Sequence, residues 1–572
     1  MTQGGLPTRV AYCSQLTLVA TLVAGCPGTL TSADRDAGRR MDSGAGSIDA
    51  QVVGADVYIP LGADAGDLPD AFIASPDALT PPADTGGTCV ARTCAEVTSM
   101  CGSVSDGCGG TITCSCVAPA SCMAGTCRAP VLCSASSCPA FPGAEGEGAN
   151  ARGGRGGDVC HVTTLSNSGA GSFRSCVEGT GDRRTVVFDI AGRIRLTSPL
   201  RGRRSRLTIA GQTAPGDGIQ VSGYQVMLEG DDIIVQHMRF RAGDEEKGPR
   251  ASGGFTEDSF DVGGNNIIVD HVSASWGIDE CLSTGTDAWD NLTIQWSIMS
   301  EGLHQTGLFH GERDTDYDPG GPRGHAMGSL FKPSSGDSHL SLHHNLYAHN
   351  NNRNPAIGTY SSSQSQWADI RNNVLYNWAD NPGYASGSSR AIYLNYVGNY
   401  GIQGPSTDDA FMFEADDASN LRIFIADNRI DTNHNTRFDG AVTSSVVTGT
   451  FTRSTTAHTF VPVTTHASAD VVGLVLGQAG AFPWSRDAVD ERVTADARAN
   501  TGRLINSQRS VGGWGTLDLG TRVVDGDRDG MPDDYERTHA TNPATADNNG
   551  DVDGDGYTNL ENYLHWATRY PR

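Results

Sequence analysis

The stretch LHHNLYAHNNNRNPAIG, Leu342 to Gly358, crowds three histidines and a run of asparagines in front of Arg353, Asn354 and Pro355. Asparagine in such density is turn material, because its short amide satisfies nearby backbone groups and tolerates left-handed backbone. Asn350 to Asn352 are expected to form a turn that presents Arg353, with the histidines packing and hydrogen-bonding around a strand end. An arginine held beside a rigid proline is a candidate reactive group, although a guanidinium with a pKa above about 12 is by default a counter-ion for carboxylate.

A second concentration of chemistry lies in DGDRDGMPDDYE. It spaces Asp525, Asp527, Asp529, the Met531 carbonyl, Asp533 and Glu536 as a calcium loop spaces its oxygens, with Gly530 at the sharp turn. DVDGDGYTNLEN repeats the pattern with Asp551, Asp553, Asp555, Tyr557 and Asn559, but Asn562 holds the closing position and the acid, Glu561, comes one residue earlier. Calcium in these loops folds a segment and performs no reaction.

Elements must position these groups, and the chain between them is built of short apolar runs. RLTIAG begins at 206, DIIVQHMRF at 232, NIIVDHVSASW at 266, NLTIQWSIM at 291, HLSLHHNLY at 339, WADIRNNVLYNW at 367, AIYLNYVGNY at 391 and NLRIFIADNRI at 420. Most of these begin 24 to 34 residues apart, and the one interval of 48 contains a Gly/Asp/Pro-rich insertion, residues 310–337. A β-sandwich also gives short strands at intervals, but this spacing and the many Asn and Gly turns favour a parallel β-helix, one coil per repeat, with Asn stacking in ladders. Residues 441–524 continue with β-rich strings and a helical strip, expected to finish or cap the solenoid.

The 572 residues carry 72 glycines and a formal charge of −25, which disfavours nucleic acid as a partner because no basic surface would neutralise phosphates. Residues 31–88 hold ten Asp against three Arg, and residues 525–572 hold nine Asp and two Glu against four Arg, so each segment is −7. More than half the excess therefore lies outside the middle of the chain. Arg9 followed by the apolar LTLVATLVAGC reads as a secretion signal too short to span a membrane. Its end, Leu22 to Cys26, resembles a bacterial lipobox, with Cys26 as the lipidated residue; an ordinary cleavable signal is the alternative. Residues 27–88 read as a disordered Asp/Ala/Pro-rich linker. Cys89, Cys94, Cys101, Cys108, Cys114, Cys116, Cys122 and Cys127 form an even set without zinc-type pairing, and so read as disulfides. Cys133 with Cys138, and Cys160 with Cys176, offer two more bridges, which leaves Cys281 as a buried inert thiol. The expected organisation is a signal at 1–26, the linker at 27–88, a cysteine-rich module at 89–138, a β-helix at 139–524 and calcium repeats at 525–572.

Residues 141–440 resemble the pectate lyase family, polysaccharide lyase family 1. The strings that carry the resemblance are GGRGG from Gly153, TIAGQTAPGDGI from Thr208, MRFRAGDE from Met238, IIVDHVSASWGIDECLS from Ile267, HHNLYAHNNNRNP from His343 and RNNVLYNW from Arg371. The resemblance implies a right-handed parallel β-helix that cleaves polygalacturonate, an acidic plant-type polysaccharide, by calcium-dependent β-elimination. Such a reaction needs a base for the C5 proton, a cation for the charge developing on the carboxylate and help for the departing O4 oxygen. The resemblance sets Arg353 as the base and Asp258 and Glu280 as Ca2+ ligands, with Asp279 offering a further hard oxygen. It also implies an acidic ligand where Thr284 stands, with Asp279 or Asp287 as the acid to compensate, and a second arginine where Ala356 to Gly358 follow the proline. Lys332, Arg323, His304 and Arg390 are the candidates to bind substrate carboxylate in its stead. The C-terminal loops are similar to dockerin and EF-hand-like repeats.

The expectation is a monomeric enzyme, either extracellular or held at a bacterial outer membrane or cell surface by lipidated Cys26. Its competitors are a noncatalytic β-helix for polysaccharide binding or adhesion, motivated by the two departures, and a lyase acting on pectin or alginate. A polygalacturonase-type hydrolase would need the NxD…DD…GHG pattern, which the sequence lacks.

Overall fold

The computed structural model describes residues 93–94, short pieces between 102 and 133, and residues 138–569 except 180, 246–256, 286–287, 307–324, 361–363, 387–389 and 417–419. The signal, Cys26, the linker, most of the cysteine module, Asp287 and Arg323 lie outside the described residues. What is described of the cysteine module includes two antiparallel pairs, Gly102–Ser105 with Thr111–Cys114 and Ser121–Met123 with Thr126–Arg128.

All eight apolar runs become strands of one parallel sheet. It passes from Asp158–Val162 and Arg184–Phe188 through Leu207–Ala210, Ile233–Gln236, Phe260–Asp270, Trp289–Gln295, Ser338–His343, Gln366–Arg371, Ile392–Val397 and Leu421–Ala426 to Thr452–Arg453. Register explains why the runs alternate. Leu207, Ile233, Ile267, Leu292, Leu340, Ala368, Leu394 and Ile423 pair one with the next, all buried. Each large aliphatic side chain in such a column contributes about 1.5–3 kcal/mol by leaving water. A second, ten-stranded sheet and a third set of very short strands complete each coil, so the fold is an all-β parallel β-helix.

Two residues turn the chain from the long sheet into the second. The first is left-handed at His237, His271, Trp296, His344, Asn372, Gly398 and Asp427, with φ between 48° and 67°. In the later coils the second is asparagine. Asn345 Nδ2 donates to Asn373 Oδ1 at 3.0 Å, Asn373 to Asn399 at 3.1 Å and Asn399 to Asn428 at 3.1 Å, while each of these acceptor oxygens also takes the backbone N–H of the asparagine before it. The ladder thus satisfies polar groups buried in the turn.

The outer face of the long sheet is covered by a strap from the start of the β-helix. Gly148 N donates to Thr293 Oγ1 and Gly154 N to Thr208 Oγ1, both at 2.9 Å. A Cβ on Gly148 would sit 2.0 Å from the Ile267 carbonyl oxygen, so only glycine lets the strap lie this close. Cys133–Cys138 and Cys160–Cys176 are disulfides, and Cys281 is free and buried.

Residues 441–524 begin by finishing the solenoid, since Ala441–Val442, Val447–Gly449 and Thr452–Arg453 are the last strands of its three sheets. Their helices Ser468–Gln478 and Ala488–Ala499 lie along its flank, where Val471, Val475, Leu476 and Val493 share a core with Ile298, Leu346, Val374 and Tyr400 of the second sheet. Docking is specified by charge. Arg239 and Arg241, fully buried in the strand Arg239–Arg241, face Asp487 and Asp490, with Arg241 Nη2 donating to Asp490 Oδ1 at 2.6 Å and Asp487 Oδ1 at 3.0 Å. Replacing Arg241 by leucine would leave two buried carboxylates with Arg239 alone. A loss of about 3–5 kcal/mol is expected, read as a lowered denaturation midpoint.

Candidate active site

The third, short-strand sheet carries the site, because the residues just before its strands fall in line from coil to coil. Asp258 precedes the strand Phe260–Asp270, Glu280 precedes Leu282–Ser283, and Arg353 precedes Ala356–Gly358. Glu280 bridges to Met327, and Met327 to Asn352, which sets Arg353 two coils from the glutamate. Gly328 makes the approach possible, since a Cβ there would lie 2.6 Å from the Arg353 carbonyl oxygen and from Asn354 Oδ1.

Arg353 is held in left-handed backbone, φ 60°, and the following Asn354–Pro355 bond is cis. Asn350 builds the turn: its Nδ2 donates to Met299 O at 2.9 Å and Asn354 Oδ1 at 3.0 Å, and its Oδ1 accepts from Gly302 N at 3.0 Å. The guanidinium of Arg353 pairs through Nη1 with Glu280 Oε1, while Nε donates to the Tyr384 hydroxyl at 3.1 Å. His343 and His344 are elsewhere, at the turn into the second sheet, where His344 Nε2 meets His466 Nδ1 at 2.9 Å.

Asp258, Asp279 and Glu280 offer carboxylate oxygens within 4.8 Å of one another. Asp258 Oδ1 also accepts the Glu280 N–H at 3.0 Å. Sequence reasoning missed a fourth carboxylate, Asp261, which is buried and hydrogen-bonded to Asp258 and to Gln225. Its signal was the strand alternation in SFDV, where Phe260 and Val262 enter the core and Asp261 faces out. Thr284, in place of an acid, donates to Leu330 O at 3.3 Å.

These carboxylates are strained electrostatically. Burial raises all four, and Asp258 is raised further by Asp261 and Glu280. Burial takes Asp261 to about 6 and, with Asp279 beside it, takes Glu280 to about 7, although Arg353 opposes. Burial acts against the charge on Arg353, but Glu280, Tyr384 and Asp279 outweigh it and raise the guanidinium pKa. Asp261 Oδ1 is buried without a hydrogen bond; Asp279 Oδ1 has no aligned partner and lies 3.1 Å from His325 Nδ1. Four hard-oxygen groups opposed by one arginine suit a calcium-sized divalent cation, which takes oxygen ligands and repays their repulsion.

The other candidate side chains are spread around this centre. Lys332 extends over the Tyr360 ring, 5.7 Å from its centroid, and Tyr360 lies within electrostatic reach of Glu280 and Arg353. His304 is half-buried, its carbonyl accepting the His325 N–H at 2.7 Å, and lies within electrostatic reach of Asp380. Arg390 is exposed one coil beyond Arg353, between the strands Tyr384–Ser386 and Ile392–Val397. Tyr384, paired in register with Ala356, had no local signal because its role depends on that cross-coil pairing.

The chain is 37% identical over 429 residues to the probable pectate lyase C of Aspergillus fumigatus, covering 74% of this chain and 92% of that protein. The chain belongs to the pectate lyase family. The probable pectate lyase C of Aspergillus oryzae is 36% identical over the same shares. No protein-family model matches the sequence. Among solved structures, that of Jun a 1, the major allergen from cedar pollen, overlays 59% of this chain and 92% of its own at 14% identity and a TM-score of 0.41, a likeness too loose to add to the topology above. As a member of the pectate lyase family the chain is a polysaccharide lyase, which displaces the adhesion reading.

In this pectate lyase a carboxyl raised on folding holds its proton more tightly in the folded state. Its contribution to stability is present below its unfolded pKa and is lost as pH rises through the folded value. With Glu280 raised from 4.5 to about 7, thermal stability in chelator is expected to fall across that interval. Unfolding temperatures of Glu280→Gln over the same pH series should fall less steeply.

Proposed function

We propose that this chain cleaves polygalacturonate by calcium-dependent β-elimination, releasing 4,5-unsaturated oligogalacturonides. The observation that carries the reading is Arg353, presented in left-handed backbone against the cluster of Asp258, Asp279 and Glu280. Those three residues would hold the calcium, whose chemistry is to neutralise the substrate carboxylate and acidify the C5 proton. Asp261 stands behind Asp258 and supports it. Arg353 takes the C5 proton, the C–H electrons form the C4–C5 double bond, and the C4–O4 bond breaks, with O4 taking a proton from water. Each Glu280 oxygen committed to the cation is withdrawn from Arg353, and a half-buried guanidinium with less counter-charge loses its proton more readily.

Lys332 is the best-supported substrate cation. It lies two residues along from Leu330, which pairs in register with Ala356, the position after the proline where the resemblance implies an arginine. Its side chain already reaches the rim at Tyr360. His304 and Arg390 are the remaining candidates to hold the polymer.

Export rests on the apolar segment after Arg9, and anchoring on the Leu22 to Cys26 string. The relatives named above are fungal, whereas a lipobox is a bacterial device, so the anchor rests on those five residues alone. The C-terminal loops are read as calcium-binding repeats, and the chain as a monomer.

The test is the full chain on polygalacturonate, followed by ultraviolet absorbance of the conjugated uronate. Absorbance is expected to rise with calcium and stop with chelator, and Arg353→Ala to lose about 10²–10⁴-fold in kcat. Polymer bound without any absorbance would sink the reading. Lys332→Ala should raise KM more than it lowers kcat; an unchanged KM would remove Lys332 from the substrate site.

A further inference from the structure

The C-terminal segment does not stand apart from the β-helix. Met531, Tyr535, Leu560, Tyr563 and Leu564 share a core with Ala210 and Val159 of the long sheet's first coils. His161, on the strand Asp158–Val162, has Nδ1 2.7 Å from Asp189 Oδ1, and Nε2 3.2 Å from the Arg528 carbonyl and 3.7 Å from Asp525 Oδ2. Arg155, in the glycine-rich strap, donates to Glu561 at 2.6 Å.

The first acidic loop gathers its groups differently from its spacing. Asp525, Asp527 and Asp529 have carboxylate oxygens within 4.8 Å of one another, and a second triplet of the same compactness joins Asp529 to Glu536 and to Asp547. Asp547 lies outside the loop, in the turn before the second one, and its N–H donates to Asp529 Oδ2 at 3.0 Å. Glu536 is completely buried, and neither of its carboxylate oxygens meets a hydrogen-bond donor. Asp527 Oδ2 and Asp547 Oδ1 are buried and unpartnered as well. A carboxyl sealed from water with both oxygens unmatched must either keep its proton or meet a cation, and the aspartates gathered around this one favour the cation. Asp533, by contrast, is engaged elsewhere: Oδ1 accepts the Gly526 N–H at 2.7 Å and Oδ2 accepts from Arg537 Nη2 at 3.0 Å.

The second loop is more open. Asp551, Asp553 and Asp555 cluster at the surface, Asn559 Oδ1 accepts from Val552 N at 2.9 Å, and Glu561 accepts the Thr558 N–H at 2.9 Å and pairs with Arg155. The Tyr557 ring is buried.

We propose that Asp525, Asp527, Asp529, Glu536 and Asp547 form one calcium site shared between the first loop and the following turn, and that this site fastens the C-terminal segment onto the first coils. The proposal rests on the reading of these loops as calcium-binding and replaces Asp533 with Asp547. An all-carboxylate set of five selects a hard cation over the softer transition metals. Because the Arg528 carbonyl and Met531 belong to the same loop, ordering the loop also orders its contacts with His161 and Val159.

Hydrogen exchange of the full chain, titrated with calcium, reads this site separately from the one at Glu280. Protection of residues 525–537 and of the strand Asp158–Val162 should appear together, at one midpoint. Asp547→Asn and Glu536→Gln are expected to shift that midpoint at least about tenfold upward, with protection restored at high calcium, and Asp533→Asn less than about twofold. A shift in Asp533→Asn but not in Asp547→Asn would overturn the ligand assignment and leave an ordinary loop site. No calcium-dependent protection at 525–537 would remove the underlying reading as well. Protection at 525–537 with none gained at Asp158–Val162 would refute the fastening.

Discussion

The structure depends on making every coil return to the same register. Parallel strands stack only if each circuit of the chain ends one strand spacing above its start, and the two-residue turn between the long sheet and the second one enforces this. A left-handed residue followed by a buried one leaves no room for variation in that corner, so length differences between repeats are displaced to the other side of the coil. The Gly/Asp/Pro-rich insertion illustrates it: the interval from 291 to 339 is long, yet Leu292 still pairs with Leu340.

Register of this kind is what brings chemistry together. Asp258 and Glu280 stand two residues before strands that pair with each other, and Arg353 follows Asn352, which lies in register with Glu280 two coils on, so residues of separate coils meet at one place. The site is electrostatically costly, with three buried carboxylates and the half-buried Asp279 around a single guanidinium. Aliphatic columns on the inner faces offset that cost, and a site of this composition is tolerable because the coils beneath it cannot spread.

The long sheet was legible from the sequence because its strands carry apolar, often β-branched residues over four or more positions and recur at similar intervals. Strands such as Leu282–Ser283 or Ala356–Gly358 were not, since two or three residues hold no period. Asp258, Asp279, Glu280 and Arg353 could be nominated from their strings and resemblance, whereas Asp261 and Tyr384 owe their place to pairing between coils. The helical strip in 441–524 was readable, but its seat on the flank was not: it depends on Arg239 and Arg241 meeting Asp487 and Asp490 across some two hundred and fifty residues. Asp533 fits a calcium-loop spacing and is nonetheless occupied by Gly526 and Arg537, because spacing along a loop does not reveal which carboxylate a backbone amide will claim.

The strap and the C-terminal segment have a kinetic consequence. Arg155 and Glu561, which meet across the first coils, are 406 residues apart in sequence. Coils wind one upon the next by local contacts, but the part of the first coils that the strap does not reach, at Val159 and Ala210, stays uncovered until Met531 and Leu560 arrive. Folding of this chain is therefore sequential in its interior and closed by its ends, so that the earliest coils formed are the last to be sealed from solvent.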